Sequence, residues 1–180
     1  MEDATDAELV QRARSGAREA FDEIVRRHQR PIYQLCYRFA GNHEDASDLA
    51  QDTFVRAYRA LNGFKGEAAI GTWLYRIGVN VCLNRRALKT PRLETLSETD
   101  RHEAPNEAAD DRVARGERAR LVRAAIARLP PKQRATVILR AYHELPHDEI
   151  AKILGSSVGA VKANFFHALG NLKRLLDGER

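Results

Sequence analysis

Several groups of side chains in this sequence have types and spacings that suggest chemistry. Carboxylates stand in adjacent pairs at Glu44 and Asp45 and at Asp148 and Glu149. Neighbours on a helix point apart, however, and no nucleophile, phosphate loop or metal cluster accompanies these pairs, so they read as solvated faces or helix N-terminal charges and not as catalytic dyads. His143 and His147 have the spacing of a helical metal pair, but Pro146 makes a continuous helix there doubtful and no third ligand is evident. Cys36 and Cys82 are too few for a disulfide framework and lack zinc-ligand spacing; they read as reduced, partly buried thiols. The expectation is a protein without cofactor, metal or small-molecule substrate, one that binds and does not catalyse.

Two stretches have the chemistry of nucleic-acid binding. The run GFKGEAAIGTWLYRIGVNVCLNRR, residues 63–86, interleaves Phe64, Trp73 and Tyr75 with Arg76, Asn80, Arg85 and Arg86. Aromatic faces stack on unpaired bases, Asn offers donor and acceptor to a base edge, and Arg grips the backbone, the combination a single-strand site needs. The competing reading is that Phe64 and Trp73 are core. The second stretch, HDEIAKILGSSVGAVKANFF, residues 147–166, has the form of a helix-turn-helix. Such a motif needs a small residue at the crossing (Ala151), a residue tolerant of positive φ in the turn (Gly155) and apolar residues that lock the helices together (Ile150, Val158, Val161). Ser156 or Ser157 can cap the second helix. With Val158, Val161, Phe165, Ala168 and Leu172 facing inward, Gly159, Ala160, Lys162, Ala163, Asn164, Phe166 and His167 face out. Lys162 suits a phosphate or guanine, Asn164 can read adenine, and Phe166 can touch a thymine methyl. The alternative is an ordinary helical hairpin with an exposed phenylalanine.

The elements that must position these residues are helices. Ala, Leu, Arg and Glu are plentiful, Gly and Pro sparse, and no run alternates as a strand would. Thr5 with Glu8 is a capping-box signature for a first short helix. A second pattern runs from Ala17 through Phe21, Ile24 and Val25, is kinked or restarted at Pro31, and stops at Gly41. A long amphipathic helix from about Glu44 to Leu61 is expected to bury Leu49, Ala50, Phe54 and Tyr58. Residues 62–71 read as a loop, with Thr72 capping a helix that ends near Lys89.

From Pro91 to about Arg112 the chain is nearly devoid of apolar residues and carries a charge of −4. It reads as a flexible acidic linker. Residues 1–90 carry +2 and residues 113–180 carry +7, which points to a polyanionic partner for the C-terminal end. The fold class is therefore all-α, two small helical domains at 1–90 and 113–180 joined by a linker at 91–112. The acidic N-terminus lacks the form of a signal peptide, and no apolar run approaches the roughly 20 residues of a membrane span, so a cytoplasmic protein is expected.

With these motifs in place, the sequence resembles the extracytoplasmic-function sigma factors, the group 4 members of the sigma-70 family. DASDLAQDTFVRAYRAL (45–61) is similar to the family's polymerase-binding helix, FKGEAAIGTWLYRIGVN (64–80) to its promoter-melting segment, and the block from Ala127 to Leu176 to its −35-binding domain. The resemblance implies that Asp48, Gln51, Asp52 and Phe54 dock on the β′ clamp helices of bacterial RNA polymerase. It implies that Asn80, Arg76, Trp73 and Phe64, with Arg56 nearby, capture a base flipped from the −10 element. Arg140, Ser157, Lys162, Ala163, Asn164, Phe166 and His167 match positions near −35 DNA. Many members carry arginines where Asn164, His167 and Leu169 stand, so weaker phosphate contact and a different −35 preference follow.

Further implied partners are the β flap and an anti-sigma factor, which would hold the protein at the inner membrane when bound. A dimeric repressor or activator is the competing reading, because the helix-turn-helix also resembles that of two-domain response regulators. Such a protein needs an upstream ligand or phosphoacceptor domain with a βα pattern, and the N-terminal half shows none.

Overall fold

The computed structural model describes residues 3–85 and 108–178, and every regular element among them is helical. Helix α1 (Asp6–Arg14) begins with the capping box: Glu8 N–H donates to the Thr5 hydroxyl at 3.3 Å and the Glu8 carboxylate accepts from Thr5 N–H at 2.7 Å. That backbone hydrogen bond, with the one from the Thr5 hydroxyl, holds the Glu8 carboxyl below its usual range. Helix α2 (Arg18–Ala40) runs unbroken through Pro31. Neither the restart nor the stop that a proline ordinarily imposes occurs, because buried side chains on both sides of it, Ile24 before and Ile32 and Leu35 after, anchor one continuous face. Gly41 ends the helix at φ 78°, the left-handed conformation of a helix C-terminus.

Helix α3 (His43–Ala60) is capped by Asn42, whose side-chain oxygen accepts from Asp45 N–H at 2.8 Å. Its buried face consists of Ala46, Leu49, Ala50, Thr53 and Ala57. Phe54 is only half-buried and Tyr58 is 49% exposed, so the face is rotated from the one expected. Thr53 explains the rotation: its hydroxyl donates to the Leu49 carbonyl at 2.7 Å, which lets a polar residue occupy the core. A single 3-10 turn (Leu61–Gly63) leads out of α3.

Helix α4 (Ile70–Asn84) starts two residues before Thr72, after Ala69 and without a side-chain cap. Thr72 is thus inside the helix and its hydroxyl is directed elsewhere. Helix α4 ends at Asn84, with Arg85 in an extended conformation, so it does not run on toward Lys89 as expected; residues 86–90, and residues 91–107 of the linker, lie outside the described residues. Gly78 lets α4 lie close to α2 and α3: a Cβ there would stand 3.1 Å from Leu35 Cδ2 and 3.6 Å from Thr53 Cγ2.

Helix α5 (Ala109–Ala127) takes in residues up to Arg112 that composition had assigned to the linker. Asp110 and Asp111 occupy its first turn, where negative charge is favourable. Only Ala125 and Ile126 near its end are buried. Pro131 opens α6 (Pro131–Val137), which widens into a π turn (Ile138–Tyr142). Helices α7 (His147–Leu154) and α8 (Val158–Asp177) follow, with Gly155 at φ 62° between them. Ile138, Leu139, Ile150, Val161 and Ala168, all essentially inaccessible to solvent, form the core of this half.

Candidate nucleic-acid interface

Helix α4 carries three of the proposed single-strand residues, Trp73, Arg76 and Asn80, at spacings of three and four that put them on one face. Asn80 is exposed, and Trp73 is half-buried with its ring 5.0 Å from that of Phe64 at 48°. Phe64 is 8% exposed, so its ring backs Trp73 and offers little face of its own. Arg76 is exposed but turned toward the second half of the chain, where its guanidinium donates to the Lys152 carbonyl at 2.5 Å. Tyr75 faces the same way, and burial pushes its hydroxyl above its ordinary pKa. Phe64 thus packs against Trp73; Trp73, Arg76 and Asn80 follow one another along one face of α4, and the Arg76 guanidinium is engaged by the Lys152 carbonyl.

An open groove of ≈ 350 Å³ lies between α3 and α4, lined by Asp48, Asp52 and Arg56 on one side and Asn84 and Arg85 on the other. Arg56 Nε donates to Asp52 Oδ1 at 3.1 Å, and the Arg85 guanidinium stands 3.7 Å from Asp45 and 3.9 Å from Asp48. Asp48 and Gln51 are exposed, Asp52 is half-exposed, and Phe54 supports them from a half-buried position. This is an acidic, solvent-facing row on one helix, tied to α4 by Arg85. Such a row suits a basic or amide-rich protein surface.

In the helix-turn-helix, Ser157 is the cap, accepting from Ala160 N–H at 3.1 Å, and Gly155 supplies the positive φ. Val158 does not help lock the helices together: as the first residue of α8 it is 39% exposed, and Val161 and Ala168 do the locking. Lys162, Ala163 and His167 are exposed, Asn164 is half-exposed, and Phe166 is 74% exposed with its ring 5.7 Å from that of His167. Arg140 is half-buried and donates to the Leu145 carbonyl at 3.1 Å, closing the turn into α7. His147 lies edge-on to Phe165 at 5.9 Å.

The contact between the two halves carries residues whose role the sequence did not disclose. Arg134, 7% exposed, donates to the Phe39 carbonyl and lies 5.1 Å from the Phe39 ring. Burial lowers its pKa. Its spacing from Val137 and Ile138 places it on a buried helix face and was the available signal. The Arg38 guanidinium stacks 3.9 Å over the Tyr142 ring. The Tyr75 hydroxyl shares a 2.9 Å hydrogen bond with His143 Nδ1, and Thr72 donates to Glu149 at 3.1 Å. Burial, reinforced by Arg38, depresses the His143 pKa to about 4. Cys36 and Cys82 stand 3.9 Å apart in the core, and their mutual hydrogen bond, with burial, pushes the Cys82 thiol well up. Both are fully buried, beyond the partial burial expected. No helix among the described residues is long and apolar enough to cross a membrane.

Two family models match this chain. Residues 24–90 match sigma-70 region 2, and residues 119–172 match sigma-70 region 4. The ECF RNA polymerase sigma factor SigM of Mycobacterium tuberculosis is 36% identical over 176 residues, covering 96% of this chain and 85% of that protein. The RNA polymerase sigma-H factor of Pseudomonas aeruginosa is 34% identical over 173 residues, 91% of this chain and 89% of its own length. Among solved structures, CnrH in complex with the cytosolic domain of CnrY aligns with a TM-score of 0.72 at 30% identity, covering 97% of this chain and 99% of that one. The α3–α4 unit falls within the first matched region and the helix-turn-helix within the second, in one chain and in that order. The chain belongs to the sigma-70 family and is an RNA polymerase sigma factor of the extracytoplasmic-function type.

Proposed function

We propose that this chain directs core RNA polymerase to particular promoters and opens them by trapping an unpaired base, with no catalysis of its own. Residues 1–90 form the domain that holds the polymerase and the −10 element, residues 91–108 the connection, and residues 109–180 the domain that holds the −35 element. Asp48, Gln51 and Asp52, backed by Phe54, dock on the β′ clamp helices, and the second domain meets the β flap. Asn80 and Trp73, supported by Phe64 and flanked by Arg56, receive the flipped base; Arg76 joins them once released from the Lys152 carbonyl. A stacked base contributes on the order of 1 to 3 kcal/mol, which offsets part of the cost of unpairing. Upstream, Lys162, Ala163, Asn164, Phe166 and His167 enter the major groove. Ser157 donates to a phosphate while it caps α8, and Arg140 adds charge at the groove edge.

The observation that carries this reading is the exposed face of α8, where Phe166 is 74% open to solvent between Lys162 and His167 on a correctly capped second helix. A phenylalanine so exposed, beside a lysine and a histidine on one helix face, suits contact with a thymine methyl in a major groove. The protein works in the cytoplasm, or at the inner membrane when an anti-sigma factor holds it. The test is permanganate footprinting of unpaired thymines with core polymerase and a matching promoter. Asn80→Ala should impair strand opening more than closed-complex binding, and equal losses in both would count against base capture.

A further inference from the structure

Along α8, Lys162, Phe166, Leu169 and Lys173 recur at spacings of four, three and four, which places them in one stripe. All four are exposed, Phe166 to 74% and Leu169 to 49%. Ala168 and Leu172 beside Leu169 are taken into the core, whereas Leu169 itself is left in solvent. Two cations thus bracket a large apolar pair. The lysines are eleven residues apart, about 16 Å along the helix axis.

On the other side of Phe166 runs a second row with almost no side chains, Gly159, Ala163 and Gly170. Glycine weakens a helix interior, and packing within the described residues accounts for neither glycine. A Cβ at Gly170 would meet nothing within 4 Å, and one at Gly159 only the Ser157 hydroxyl at 4.0 Å. The small row instead allows close approach by something outside the chain.

The charges say what approaches. An apolar pair alone would suit a protein groove, but a cation at each end suits a polyanion. The major groove of B-DNA is about 12 Å wide, so lysines about 16 Å apart reach the phosphates on both its edges while the ring and the leucine face its floor. The apolar feature on that floor is the thymine C5-methyl. One helical turn separates Phe166 from Leu169, about 5 to 6 Å between Cβ atoms, which suits methyls on neighbouring base pairs.

We infer that Phe166 and Leu169 together read a pair of neighbouring thymine methyls in the upstream element, with Lys162 and Lys173 holding the flanking phosphates. The inference rests on the promoter-reading function proposed above, and it adds Leu169 as a specificity-determining residue and Lys173 as a positioning contact. From Val158 to Leu172, Lys162 is the one lysine or arginine. Selectivity on this helix therefore comes from methyl contact more than from charge, and few phosphate contacts leave a shallow dependence of binding on salt.

The experiment uses the full chain assembled with core polymerase, which selects bound duplexes from a random pool of promoter length. The upstream element, located by hydroxyl-radical protection, should contain thymines on neighbouring base pairs. Replacing one of them by deoxyuridine, which removes only the methyl, should weaken binding about 4-fold, and replacing both about 15-fold. Leu169→Ala should lose about as much as one replacement and become insensitive to that uracil, while the other still costs it about 4-fold. Lys173→Ala should weaken binding to thymine and uracil duplexes equally and flatten the salt slope by about one. Unchanged melting temperatures show that the variants fold. The inference is overturned if uracil costs nothing, or costs Leu169→Ala as much as it costs the unaltered chain. It is equally overturned if Leu169→Ala weakens association with core polymerase and leaves duplex recognition intact, which marks the stripe as a protein-docking face. A chain that enriches no duplex with core polymerase fails the promoter function itself; one that enriches an element indifferent to uracil fails the methyl reading alone.

Discussion

Acidification from pH 7.5 to pH 5 should loosen the hold between the two domains through His143. Its ring is packed edge-on against Tyr75 from α4, beside the Arg38 guanidinium of α2, which itself lies over Tyr142. In either tautomer the second ring N–H lacks an acceptor: it arises at Nε2, buried without a hydrogen-bond partner among the described residues, or at Nδ1, where the Tyr75 hydroxyl already donates. Burial and Arg38 together hold its pKa at about 4 against an ordinary 6.5. The closed form therefore binds fewer protons than the open or unfolded form between those values. Its contribution is fully present above about pH 6.5, falls as pH drops toward 4, and is constant below that. At pH 5 the loss is about 2 kcal/mol, a shift of about 30-fold toward the open form.

The assay is single-molecule energy transfer between dyes at Asp22→Cys and Lys173→Cys, both exposed positions, taken as a pH series with His143→Gln as the comparison. Gln keeps a polar partner for Tyr75 and does not titrate, so its curve should lack the component that the histidine adds. If the unaltered protein and His143→Gln opened in parallel between pH 7 and pH 5, the assignment of this linkage to His143 would be refuted.

Other consequences concern single positions. Phe166→Ala should leave thermal stability within about 0.5 kcal/mol, since the ring is 74% exposed, yet weaken −35 duplex binding on the order of 5- to 10-fold; a calorimetric scan and a binding titration measure both. Gly155→Ala places a Cβ at φ 62° and should cost about 1 kcal/mol, lowering the melting temperature of its domain by about 5 °C. Cys36 and Cys82 should resist alkylation until the protein unfolds, because both thiols are buried and the Cys82 thiolate is disfavoured; rapid labelling of the native protein, read by mass spectrometry, would contradict that.

Much of the fold was legible because its signals are local. The Thr5 and Glu8 capping box, the Gly41 and Gly155 stops and the Ser157 cap are each set by a few neighbouring residues, and the structure uses all of them. What failed depended on tertiary context. Pro31 was expected to kink the helix or restart it, and no restart occurs, since packing on both sides carries the helix through. Thr72 looked like a cap because its type favours caps, whereas α4 starts at Ile70 and the hydroxyl serves Glu149. Thr53 turned the buried face of α3 away from Phe54 and Tyr58, since a threonine that bonds its own helix can be buried. In the candidate site, the exposure of Lys162, Phe166 and His167 followed from helical periodicity. The pairings of Tyr75 with His143 and of Arg134 with the Phe39 carbonyl join residues far apart in sequence, and no local pattern encodes such partners.

The most direct test of the promoter-directing function is run-off transcription on genomic fragments with bacterial core polymerase, in the presence and absence of the purified chain. Addition of the chain should give new, discrete start sites that core enzyme alone does not produce, and Asn80→Ala should reduce them. If the chain failed to associate with core polymerase at low salt and no fragment gained a start site, the proposed role in promoter opening would be wrong.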